Sequence, residues 1–150
     1  MEQCRLCKCT DKPLKESHII PKMFYNALKR NSPTCIMRMA DDPNRGVQDG
    51  LKLPFLCGEC EELFSKYERA FSNRIYQKAI ANDGEIKFES KDDALSYFLL
   101  SVAWRVIKHT RETDKTTLTE CELEKMDGII ETWRRILSVS YTHLTLPTIR

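Results

Sequence analysis

The chain has 150 residues, 41% of them hydrophobic and 31% charged, with a formal net charge of +2. That length suits one domain with a modest appendage, and the charge balance excludes a strongly basic protein that would bind polyanions through its overall field. The longest apolar stretch, Leu95 to Ile107, is too short to cross a bilayer and is interrupted by Arg105. The polar opening Met1-Glu2-Gln3-Cys4 carries no secretion signal, so a cytoplasmic protein without membrane contact is expected.

In chain order, the first element is a metal-type turn, Cys4-Arg5-Leu6-Cys7. Lys12-Pro13 marks a turn, and Ser17–Ile20 is a short strand closed by Pro21. Pro21 then opens a helix whose apolar residues are Met23, Phe24, Ala27 and Leu28, and Asn31-Ser32-Pro33 stops it. A second short strand is expected over Cys35–Met39, followed by a loop at Asp41–Gly46.

The second cysteine pair, Cys57-Gly58-Glu59-Cys60, should start a long helix with the stripe Leu63, Phe64, Tyr67, Ala70, Phe71, Ile75 and Ala79. Asn82-Asp83-Gly84 ends it, and Glu85–Glu89 reads as a strand or extended linker. Another helix starts near Asp92 or Asp93, so richly apolar that it should be largely buried, with His109 just beyond its end serving the terminal carbonyls. A last helix follows Thr119, with Glu122 as capping-box partner and Leu123, Met126, Ile130, Trp133 and Leu137 as its stripe. The last two helices should pair as an antiparallel hairpin on the Phe64–Phe71 face, with both tryptophans in the core. The stretch Val139–Thr148 resembles a translated sequencing adapter, so residues 138–150 are expected to be a non-native tail and His143 is set aside. The expected organisation is a module over 1–82, a helical region over 83–137, and that tail.

Seven cysteines without a secretion signal point to metal binding rather than a disulfide framework. Cys4, Cys7, Cys57 and Cys60 form two thiolate pairs that complete one tetrahedral structural Zn2+ site, closing the 49 residues between Cys7 and Cys57 into a clasp. Cys9, Cys35 and Cys121 read as small buried hydrophobes, with Cys9 also a candidate competitor of Cys4 or Cys7 for the metal.

Inside the clasp lies Ser17-His18-Ile19-Ile20-Pro21. Cys-x-x-Cys, then His-Ile-x-Pro, then a helix-opening Cys-x-x-Cys resembles the HNH endonuclease family with its ββα-metal, treble-clef-like fold. The resemblance covers residues 4 to 68, including a Ser-His-Ile-Ile-Pro subgroup with Phe64-Ser65-Lys66-Tyr67-Glu68 on the later helix. It implies an α+β zinc-stabilised module, mainly α once the C-terminal hairpin is included. It also implies hydrolysis of phosphodiester bonds, in DNA, with His18 as general base on water.

By the same resemblance a second cation, Mg2+ or Mn2+, would sit on Glu61, with Ser17 as a weaker neighbouring ligand. Many members carry aspartate where Ser17 stands and histidine where Glu61 stands. The motif's middle asparagine would fall near Lys52, with Gln48 as a substitute for orienting the histidine. Residues 1–60 hold ten Lys/Arg against seven Asp/Glu. Lys15, Lys22, Lys29, Arg30 and Lys52 are therefore candidate phosphate contacts. Two rival readings stand beside the enzyme: a non-catalytic zinc module binding nucleic acid or protein, and a regulatory fragment whose helices mediate assembly. Glu68 and Arg69 read as a solvated helix face.

Overall fold

The computed structural model describes residues 2–38, 42–81, 93–113 and 118–143. The chain is mainly helical, with two small sheets near its N-terminal end. Strand β1 (Leu14–His18) pairs antiparallel with β4 (Lys52–Cys57), and α2 (Gly58–Phe71) follows β4 directly. Between the paired strands lie α1 (Lys22–Asn31) and a minimal hairpin, β2 (Met37–Arg38) with β3 (Gly46–Val47). Strand β1 begins earlier than the expected Ser17–Ile20 and ends at His18, and its partner β4 is not among the expected strands. The reason is the register: Leu14 faces Cys57 and His18 faces Lys52, so the ladder spans all of β4.

The ladder slips between Lys15 and Glu16, where Phe55 has no direct partner. Pro54, which cannot donate to a ladder, sits beside this irregularity. Its carbonyl and that of Phe55 are taken instead by the N-terminal turn. The Arg5 guanidinium donates to Pro54 O (3.0 Å) and the Arg5 backbone N–H to Phe55 O (3.1 Å). The bulge thus docks the first cysteine turn against the strand that carries the second.

The expected long helix forms over Gly58–Ala81, with a π turn (Ser72–Tyr76) between α2 and α3 (Gln77–Ala81). Tyr76, within the π turn, donates its hydroxyl to Met23 O (3.1 Å) and meets the Phe24 ring edge-on (5.6 Å), which binds α1 to this helix. The terminators at 82–84 and the strand at 85–89 lie outside the described residues.

Helix α4 (Asp93–Thr113) packs on α2, with Phe98 stacked on Phe71 (4.1 Å) and Tyr97 on Tyr67 (3.9 Å). It buries one face only, since Leu99 stays 53% exposed. It also runs through His109, correcting the position expected for that histidine: no Gly or Pro interrupts the chain before Thr113.

Helix α5 (Glu120–His143) starts with the expected capping box, in which Thr119 N donates to Glu122 (2.8 Å) and Glu122 N to the Thr119 hydroxyl (3.4 Å). Arg111 meets Asp127, Trp104 donates to Ile130 O, and Tyr97 donates to Leu137 O. As one index rises the other falls, so α4 and α5 are antiparallel. The helix does not stop near Leu137; Ser138–His143 contains no Pro or Gly to break it, and the backbone stays helical into the adapter-like stretch. One apolar cluster joins the cysteine turns, Phe55 and Phe64 to Trp104, Ile130 and Leu137. No described helix is long and apolar enough to cross a membrane.

Candidate metal centre and adjacent histidine site

The first turn is closed by Lys8 N donating to Cys4 O and Cys4 N to Cys9 O, both 3.0 Å, with Lys8 in the left-handed region at φ 66°. A non-glycine residue there costs roughly 1–2 kcal/mol, and the turn holds because its ends are fixed elsewhere. Arg134 of α5 donates to Leu6 O (2.9 Å), and Cys57 N points at the Cys4 sulfur (3.3 Å).

The sulfurs of Cys4, Cys7, Cys9 and Cys57 all lie within 4.8 Å of one another. Zn–S bonds of about 2.3 Å in a tetrahedron require neighbouring sulfurs about 3.8 Å apart. The Cys7–Cys57 separation is 3.7 Å and Cys7–Cys9 is 3.3 Å. The geometry and soft donors fit a metal such as zinc.

Cys60, the other expected ligand, is not in that set of four; its thiol beside Cys4 is the main reason the Cys4 thiol is pulled down to about 4. The same contact pushes Cys60 up. The compact set of four thus takes Cys9 where Cys60 was expected, with Cys60 as a fifth thiol beside Cys4. Cys9 belongs to the sulfur cluster and packs against the core at half burial, and Cys35 and Cys121 are exposed, not buried. The left-handed Lys8 turns Cys9 back toward Cys7, which the x-x spacing alone does not reveal.

On the far side of β1, His18 Nε2 lies 2.9 Å from Asp49 Oδ1. Asp49 Oδ2 accepts from Lys52 Nζ (2.6 Å), and Oδ1 also accepts the Gly50 N–H (2.9 Å). Lys52 first, then His18, hold the Asp49 carboxyl well below its usual range. With Nε2–H donated to the carboxylate, Nδ1 is the ring's acceptor. Asp49 was missed in the sequence; Gln48, the expected orienter, is exposed and its carbonyl accepts Lys29 Nζ (2.9 Å). Asp49 sits in a loop three residues before Lys52, where only the β1–β4 register could have pointed to it.

Gly50 is required here by close approach: a β-carbon would enter the Tyr25 ring, whose centroid is 6.4 Å from that of His18. Ser17, fully buried, donates its hydroxyl to Glu61 Oε2 (2.6 Å). Burial pushes the Glu61 carboxyl up, against the Ser17 bond and the charge of Arg105. Glu61 and Ser17 thus stand together at the start of α2. Among the described residues the cysteines are the one cluster of three or more His, Cys, Asp or Glu that can hold a metal, so a hard cation at Glu61 would need water and phosphate oxygens to complete its shell.

Glu68 is not a solvated residue: it takes the guanidinium of buried Arg105 (2.7 Å). Lys15, Lys22 and Arg30 are exposed. Lys52 lines a cleft of about 700 Å³ together with Tyr25, Met37, Arg38, Arg45 and Asp49, and Lys29 bonds the carbonyl of Gln48, another residue of that lining. The chain matches no protein family, no curated protein and no solved structure.

Proposed function

We propose that this chain is an HNH-like, zinc-scaffolded nuclease that hydrolyses phosphodiester bonds in DNA. The observation that carries the reading is the His18–Asp49 hydrogen bond, at the end of a strand that pairs with the strand opening α2. Asp49 fixes the ring with Nδ1 as acceptor and balances the imidazolium that forms. His18 takes a proton from water as the water oxygen bonds to phosphorus. The phosphorus–oxygen bond to the leaving group then breaks, and solvent protonates the departing oxygen.

Glu61, held by Ser17, would bind Mg2+ or Mn2+, which when bound supplies charge neutralisation on the phosphate. Cys4, Cys7 and Cys57, with Cys9 or Cys60, would hold the structural Zn2+. Lys15, Lys22, Lys29, Arg30 and Lys52, with Arg38 and Arg45 of the cleft, would contact backbone phosphates with little sequence preference.

The test is nicking of supercoiled plasmid by the zinc-loaded chain with Mg2+ or Mn2+. Activity in wild type and its loss in His18→Ala support the reading; equal activity in both overturns it. A second reading, a zinc module that binds nucleic acid or protein without cleaving, is favoured by the single carboxylate beside His18 in place of a fuller hard-cation set. Binding of DNA without nicking under any divalent cation would select it.

A further inference from the structure

Arg105 is 1% exposed, in the middle of α4, on a helix face otherwise given to Phe98 and Trp104. Its guanidinium donates to the His18 backbone carbonyl (2.9 Å) and to Glu68 Oε1 (2.7 Å), and its Nε to Ser101 O (3.3 Å). The group also lies over the Phe64 ring at 5.2 Å. Burying a guanidinium is costly, and an unbranched apolar side chain such as methionine would fill much of the same space without the desolvation penalty. What an apolar residue cannot do is hold a carbonyl on another element. His18 is the last residue of β1, and the chain bends at Ile19–Ile20 immediately after it. The strand end that carries the imidazole is thus clamped from the C-terminal helical layer, 87 residues away in sequence.

We propose that Arg105 is a positioning residue that fixes the backbone of His18 and so keeps its ring on Asp49. Glu68 is its anchor: with one edge of the planar guanidinium held by the carboxylate on α2, the other edge is aimed at the strand end. The helical appendage is then part of the site's machinery rather than a separate stabilising layer. The inference rests on the reading of His18 as the base, but its geometry can be measured without activity.

The test uses the full zinc-loaded chain and Arg105→Lys. Lysine keeps the charge and can still pair with Glu68, but a single ammonium cannot span both partners in the same plane. The expected result is a 10- to 100-fold fall in kcat with KM within about threefold, the size typical of losing a supporting hydrogen bond behind a reacting group. The low-field proton resonance of the His18 ring N–H bonded to Asp49 should broaden or vanish, while zinc per chain and cooperative melting persist. Wild-type kcat together with an unchanged resonance would overturn the proposal. So would loss of both that merely follows loss of zinc. If wild type itself fails to nick DNA, the nuclease reading falls and the resonance alone decides whether Arg105 fixes His18. Should Arg105→Lys not fold, Glu68→Ala takes its place. It leaves the bond to His18 but frees the guanidinium's other edge, and a three- to tenfold fall in kcat with a broadened resonance is expected; no change in either would overturn the proposal.

Discussion

Replacing Asp49 by Asn separates catalysis from stability more sharply than any other change near His18. The carboxylate makes three contacts: Oδ1 accepts from His18 and from the Gly50 N–H, and Oδ2 accepts from Lys52. Asparagine has the same shape but only one acceptor oxygen. If that oxygen faces His18, the amide group meets the Lys52 ammonium, donor against donor. If it faces Lys52, the amide points at Nε2, and the ring must move its proton to Nδ1, the atom proposed to take the proton from water. Either way the balancing charge for the imidazolium is gone.

General-base assistance contributes roughly 10²–10⁴ in rate, so Asp49→Asn should lower kcat by at least about 100-fold. The stability cost should be small. The Lys52 and Asp49 side chains are 38% and 30% exposed, and a pair so accessible to water contributes at most about 1 kcal/mol. That corresponds to roughly 2–4 °C in melting temperature for a chain of this size. The sign with pH follows from the lowered Asp49 carboxyl. Its contribution is fully present above the unfolded value of about 3.9 and is lost as pH falls through the lower folded value. The gap between wild type and variant should therefore close in strong acid. Plasmid nicking at pH 7, and thermal melts at falling pH for as long as the zinc is retained, measure both. An Asp49→Asn protein that nicks within threefold of wild type would refute the assignment of Asp49 as the orienter of His18.

Glu61→Gln should abolish Mg2+-dependent nicking yet leave the fold as stable as wild type or more so at pH 7. Burial raises the Glu61 carboxyl, so its charge is a penalty above the folded value that is relieved as pH falls; in melts, the variant's advantage should shrink on acidification. Gly50→Ala forces Tyr25 aside and should cost about 1–3 kcal/mol by overpacking, with a visible shift of the His18 ring signals; unchanged melting would contradict the close approach. Among the cysteines, Cys9→Ser and Cys60→Ser should each retain one zinc per chain by metal analysis, because the other thiol fills the fourth position, whereas the double variant should lose it. Cys35→Ser and Cys121→Ser should change neither zinc content nor melting, both being exposed and remote from the cluster in the chain.

Much of the helical architecture was legible because it is written locally. The Thr119–Glu122 box, the apolar stripes of α4 and α5 and the cysteine-opened helix need only neighbours three and four residues apart. The residues that complete the site were less legible because their contacts span long separations. Asp49 meets His18 through a strand register set by the Phe55 bulge, and Cys9 joins the sulfurs only because Lys8 adopts a left-handed conformation. Arg105 looked like a blemish in an apolar run, and Glu68 like a surface residue; only the packing of α4 on α2 shows that each is the other's partner. Helix α5 passed beyond Leu137 because a helix already propagating needs a breaker to stop, and none occurs before His143.

Sulfurs from two turns some fifty residues apart should bind one metal ion, and that clasp should set His18 beside α2. Cobalt substitution tests it most directly, since Co2+ in a tetrahedral thiolate site absorbs strongly in both the visible and near-ultraviolet. One equivalent of Co2+ should give that signature, Zn2+ should displace it, and chelation should unfold the chain, as expected when binding supplies roughly 10–16 kcal/mol toward the fold. No sulfur-to-cobalt absorption, or an unchanged melting temperature after Cys4, Cys7, Cys57 and Cys60 are all replaced by serine, would contradict it.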